Sequence, residues 1–277
     1  MRFLEISIPH LSPDGNFRGA ITALLHHNLW QDIDAVYLLP IFQPSLSTSR
    51  SPYCITDFKA LNDQLGTFDD FDFFVESVHA LNKKVVLDLV LNHTSRAHPW
   101  INRPDFYMYN LAGNPAAPRG TQWDDVAQLN HHNEAVRNEL KEVVEFWKAK
   151  GVDGFRFDAT AFIPFDFWKE IWPSLDSLIT WSDTSQGDYL QLPFSHCTTH
   201  LLKGETVHDR SVVFTSNHDI MLSNGSIYQS YGAEAQNKIK EIQSSAPHYM
   251  AVPFEKTNDD YCYNFLLTAE PISRADQ

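Results

Sequence analysis

Residues 84–91, Lys-Val-Val-Leu-Asp-Leu-Val-Leu, are apolar at nearly every position. A strand with one face in water alternates apolar and polar residues. One that does not alternate is buried on both faces, as in a parallel sheet covered by helices. The flanking segments supply such helices. Thr67-Phe-Asp-Asp70 has the spacing of a capping box, and Phe71, Phe74, Val75 and Val78 behind it share one helical face. Downstream, Asn133 can cap a helix whose stripe is Val136, Leu140, Val143, Val144 and Trp147, ended by Gly151. Further strands are expected at residues 3–8, 33–39, 152–157, 177–182, 189–192 and 211–215. This alternation predicts an α/β protein, either a closed barrel or an open doubly wound sheet. No glycine-rich phosphate loop follows any strand, which weighs against the nucleotide-binding versions of the open sheet.

Composition narrows the function classes. The 277 residues carry 35 Asp and Glu against 21 Lys and Arg, a net charge of −14. That is the wrong sign for a protein that neutralises nucleic-acid phosphates. No apolar run is long enough to cross a bilayer, so no membrane partner is expected. Cys54, Cys197 and Cys262 lie far apart and give neither a zinc framework nor a disulfide set. The N-terminus has no apolar core of a secretion signal, so a soluble, cytoplasmic setting is the expectation.

Three strand ends bear chemistry. Asp88-Leu-Val-Leu-Asn-His93 sets an imidazole just past a buried strand. Gly154-Phe-Arg-Phe-Asp158 puts Arg156 and Asp158 on one face. Phe214-Thr-Ser-Asn-His-Asp219 ends a third strand in a polar triplet. Taken singly, these read as a satisfied histidine, a structural ion pair and a polar turn. Three in order, each after a strand, point to a shared site where parallel α/β folds bind ligands.

These stretches resemble three signature regions of the α-amylase family, glycoside hydrolase family 13. Leu38-Leu-Pro-Ile-Phe42, Pro52-Tyr-Cys-Ile-Thr-Asp-Phe58 and Leu65-Gly-Thr-Phe-Asp-Asp-Phe71 agree with it. The resemblance implies a (β/α)8 TIM-type barrel over residues 1–277, with residues 94–133 as a short excursion after the third strand. It implies action on an α-glucan or small α-glucoside with retention of configuration. Asp158 would match the nucleophile, kept ionised by Arg156, and Asp219 the carboxylate that stabilises the transition state. His93 and His218 would bind the sugar, Tyr53 would stack on it, and Asp88 would support the site from below. The resemblance implies no required cofactor; Asn92 matches a calcium ligand of the family, so Ca2+ is the metal to look for.

The sequence also departs from the family. The expected Gly-Glu, whose Glu is the general acid/base, is absent from Ser177-Leu-Ile-Thr-Trp-Ser-Asp183. There Trp181-Ser182 stand in its place, and Asp183 is the nearest carboxylate. Gly204-Glu205 spells the dipeptide but precedes the next strand. Residues 259–269 resemble the helix before an eighth strand, leaving too few residues for that strand or for the usual C-terminal β-sandwich. The expectation is therefore a barrel incomplete at its last βα unit, from an enzyme with an impaired acid/base. The alternative is a non-catalytic glucan-binding pseudoenzyme or scaffold.

Overall fold

The structure is a computed structural model, and it describes residues 1–45, 49, 51–185, 187–200, 205–214, 217–218 and 234–251. Eight strands are arranged as a closed barrel: β1 (Arg2–Ile6), β2 (Ala35–Leu38), β3 (Lys84–Val90), β4 (Gly154–Asp158), β5 (Ile179–Ser182), β6 (His196–Thr198), β7 (Ser211–Phe214) and β8 (His248–Ala251). Neighbours follow chain order, and the pairings of β1 with β2 and with β8 are both parallel.

This corrects two expectations. The closing strand is β8, where Arg2, Phe3 and Leu4 pair with Tyr249, Met250 and Ala251, so the barrel is not left open at its eighth strand. The strand is four residues long, too short for a clear apolar signature. It is packed by the helix before it, Ala235–Ser244, whose Ile242 lies against Val213 and Tyr249. Residues 259–269 lie outside the described residues. The strand expected at residues 189–192 is instead a 3-10 turn, Gly187–Gln191, and the strand follows at His196–Thr198. Tyr189 anchors that turn by donating its hydroxyl to the carbonyls of Ala161 and Ile163.

The chain divides into two compact units. The first comprises Met1–Leu39, Gln64–Val86 and the described residues from Ser195 onward. Besides the short helix Ile8–Leu11, its helices among the described residues are α1 (Phe17–His26), α2 (Phe68–Ala80) and the Ala235–Ser244 helix. Phe17 meets Phe71 and Phe74 at ring distances of 5.4 and 5.7 Å. α2 begins in the expected capping box: Thr67 accepts from the Asp70 backbone while Asp70 accepts from the Thr67 backbone.

The second unit comprises Pro40–Asp63 and Leu87–Phe194. Its long helix, α3 (Glu134–Ala149), is capped by Asn133 and buries Val136, Leu140, Val143, Val144 and Trp147, as its periodicity requires. Trp147 also donates its indole N–H to the Phe58 carbonyl at 2.7 Å. β4 and β5 approach closely at Gly154, where an added Cβ would stand 2.3 Å from the Ile179 carbonyl oxygen. Only glycine permits that contact, which sets the register of the two strands.

Residues 91–133 leave β3 and return to α3. They form a two-stranded ribbon, His93–Ser95 against Val126–Gln128, and two 3-10 turns. No helix among the described residues is long and apolar enough to cross a membrane.

Candidate active site

In the second unit, Tyr53, Asp88, Arg156 and Asp158 are linked through one another. One guanidinium nitrogen, Nη1, donates to both oxygens of Asp88 at 3.0 Å and to Oδ1 of Asp158 at 2.9 Å. Tyr53 donates its hydroxyl to Asp88 Oδ2 at 2.9 Å. Asp88 is fully buried in the apolar run of β3, and its charge is compensated by this guanidinium. Arg156 and Asp158 emerge on the same face of β4 because they are two residues apart.

Strand register locates the third carboxylate. Arg156 lies abreast of Trp181 and Phe157 abreast of Ser182; the bond from the Asp183 N–H to the Phe157 carbonyl continues the pairing. Asp183, rather than Ser182, therefore stands beside Asp158. Ser182 shares the side of Phe157, whose ring packs on Trp168 at 5.0 Å, and its hydroxyl donates to the Thr184 carbonyl. The serine in the expected acid position thus faces hydrocarbon, while the aspartate one residue on faces the site. Asp183 is nonetheless engaged: its carboxylate accepts the N–H of Ala159 at 2.7 Å and of Thr160 at 3.1 Å. Ala159 has φ of +53°, a left-handed conformation costly for alanine, and these bonds hold it there.

The electrostatics correct one expectation. Arg156 does not keep Asp158 in the ordinary carboxylate range. Burial drives the Asp158 pKa up to about 7; Arg156 opposes this, and the neighbouring charges of Asp88 and Asp183 add to it. One cation serves several acids. Asp183 is also raised, first by burial, against the pull of Arg156 and of the backbone donors at Thr160 and Ala159.

His93 is buried at the start of the excursion ribbon. Burial lowers its pKa to about 4, against smaller raising effects from Asp125 and the Tyr53 backbone, so the ring is neutral at pH 7. Asn92 Nδ2 lies 3.3 Å from its Nδ1, and Asn92 Oδ1 is a buried acceptor with no partner. That oxygen could ligate a hard cation, but Ca2+ needs six to eight oxygens. Among the described residues no group of three or more His, Cys, Asp or Glu surrounds a common point.

In the first unit, His218 is held by a residue that sequence reasoning missed. Glu5, fully buried in β1, accepts the His218 backbone N–H at 2.9 Å and lies 2.9 Å from its Nδ1. The available signal was a lone acid inside an apolar strand, Phe-Leu-Glu-Ile, the same anomaly that marked Asp88. Asp219 lies outside the described residues. Glu205 lies before β7, where its side chain accepts the His200 N–H at 2.8 Å.

A closed parallel barrel whose fourth strand ends in an aspartate held by a buried arginine sets a carboxylate at the end where such barrels carry their sites. The sequence profile described as "Alpha amylase, catalytic domain" matches residues 13–107 and 121–245. The chain therefore belongs to the α-amylase catalytic-domain family. It is 35% identical over 191 residues to alpha-amylase 3 of Dictyoglomus thermophilum, covering 59% of this chain and 37% of that protein. It is 31% identical over 184 residues to an amino acid transporter heavy chain of Mus musculus, covering 54% of this chain and 26% of that one. The matches thus span well under half the length of these curated relatives. An alpha-amylase from Lactobacillus plantarum superposes with a TM-score of 0.78 at 23% identity, over 92% of this chain and 71% of the other. That likeness establishes the shared fold.

Proposed function

We propose that this chain is the core of a retaining α-glycosidase or transglycosidase acting on α-glucans or small α-glucosides. The observation that carries the reading is the pairing of Asp158, gripped by Arg156, with Asp183 abreast of it on the next strand. Asp158 attacks the anomeric carbon and forms the glycosyl-enzyme intermediate; water or a second sugar then displaces it. Neutral His93 and the hydroxyl-anchored Tyr53 bind the sugar. Asp219 is assigned to transition-state stabilisation by resemblance alone.

Asp183 is the proton donor by position, but its reach is short and both its oxygens are tied to backbone donors. General acid catalysis is worth about 10²–10⁴-fold. Sugar leaving groups need the proton, whereas fluoride does not. The site is therefore expected to turn over α-glucosyl fluoride well and maltooligosaccharides slowly. Asp158→Asn should abolish both reactions, while Asp183→Ala should depress the oligosaccharide reaction more than the fluoride reaction, which needs that carboxylate only as the base that takes the proton of the attacking water. Full fluoride turnover by Asp158→Asn overturns the nucleophile assignment.

The engaged Asp183 carboxylate also favours a second reading, a glucan-binding pseudoenzyme. Maltooligosaccharide binding by calorimetry with no turnover of either substrate would select it.

A further inference from the structure

Trp123 is one of the few large apolar side chains among the described residues that remain substantially exposed, at 42%. Exposure alone means little, since scattered surface aromatics are ordinary. Three other facts set this one apart. Its ring lies 5.8 Å from the ring of His93 and 5.9 Å from that of Phe162, which fix one edge and leave the remaining indole surface to solvent. His93 itself is nearly inaccessible, so the exposed indole is the wet surface immediately beside it.

The loop that carries Trp123 is also pinned. Arg96 donates through Nε to the Asp124 carbonyl at 2.7 Å and through Nη1 to the Pro115 carbonyl at 2.9 Å, and its backbone N–H reaches the Asp125 carbonyl. The Cys54 thiol donates to the same Asp125 carbonyl at 3.4 Å. An apolar ring held in water on a loop with this many ties is preorganised for a partner rather than left over from packing. Finally, residues 108–120, which lead into this loop, fall between the two stretches matched by the family profile. Trp123 itself lies at the start of the second matched stretch, so the segment leading up to it, and not the residue, falls outside the profile.

A pyranose presents an apolar C–H face, and an indole covers it without spending a hydrogen bond. We propose that Trp123 is the stacking platform of a second sugar subsite beside His93, so that the site selects α-glucan chains over single glucosyl units. The proposal rests on the glycosidase or glucan-binding reading above.

The test compares maltopentaose with α-glucosyl fluoride in the wild type and in Trp123→Ala, Trp123→Leu and Trp123→Phe. Unfolding midpoints are measured alongside. Trp123→Leu keeps apolar bulk without the aromatic face, and Trp123→Phe keeps a smaller face. The expected result is a loss of maltopentaose affinity of about tenfold in the Ala and Leu variants, the worth of one anchoring aromatic contact. That loss should exceed any effect on the fluoride's KM, and Phe should recover most of it. Equal maltopentaose affinity in wild type and Trp123→Leu overturns the platform while leaving the sugar-site reading intact. Equal losses for both ligands overturn it as well, since they indicate a structural role. A wild type that binds no maltooligosaccharide refutes both the platform and the reading beneath it.

Discussion

The two units each bury a carboxylate in the middle of an apolar strand, Asp88 in β3 and Glu5 in β1, and satisfy it differently. Asp88 receives a permanent cation, Arg156, which it shares with Asp158. Glu5 receives His218, through a backbone N–H and a ring nitrogen. The first arrangement packs more negative than positive charge into a dry space, and carboxylates give way by raising their pKa: Asp158, largely buried, moves up to about 7, and Asp183 is raised as well. The second joins one carboxylate to one backbone N–H and one ring nitrogen. Surplus charge is what a nucleophile needs and a supporting contact does not.

Removing the cation tests this contrast hardest. Arg156→Met leaves Asp88, Asp158 and Asp183 without their shared counter-charge. Breaking a buried ion pair from one side costs about 3–5 kcal/mol. A large fall in unfolding midpoint at pH 8, smaller at pH 5 where Asp158 is protonated, is expected. Glu5→Ala orphans one backbone N–H and one ring nitrogen, and should cost about 1–3 kcal/mol. If Glu5→Ala proved the costlier change, the ranking of the two regions would be wrong.

Much of this was legible beforehand, for physical reasons. Continuous apolar runs can only be doubly buried strands, and α2 and α3 declare themselves by capping residues and periodicity. Arg156 and Asp158 were visible because period-two spacing puts them on one face. Three things were not. β8 is too short to carry a pattern, and only its packing against Ile242 and β1 defines it. Glu5 looked like a stray charge, because its partner lies 213 residues away. The side of the site that Asp183 faces depends on the register of β4 against β5, which Gly154 sets by steric contact and no local pattern encodes.

The raised pKa of Asp158 has a consequence for stability against pH. Its folded value, about 7, lies above its ordinary 3.8. The folded state therefore holds a proton that the unfolded chain releases. The resulting stabilisation is present below pH 4 and is lost as pH rises to about 7. Asn at this position cannot ionise, so Asp158→Asn should gain stability relative to wild type across pH 4–7 and stay more stable above it, while losing turnover. Thermal unfolding at a series of pH values reads this directly; parallel curves for the two proteins would contradict it. The wild-type kcat/KM should rise with pH through about 7, because only the ionised carboxylate attacks.

The smallest expected effect separates charge from positioning within the crowded unit. Asp183→Asn removes one negative neighbour of Asp158 but keeps a carbonyl oxygen for one of the two backbone donors at Ala159 and Thr160. The lost bond costs about 1 kcal/mol, partly offset by relief of repulsion, so the unfolding midpoint should change little. The Asp158 pKa should fall, because a charge that raises it is gone while Arg156 remains. The acidic limb of the pH profile for α-glucosyl fluoride, a substrate that needs no proton donor, would shift to lower pH in step. A limb that stays in place would mean that burial alone holds Asp158 protonated, and that the aspartate beside it acts only by bracing the turn at Ala159.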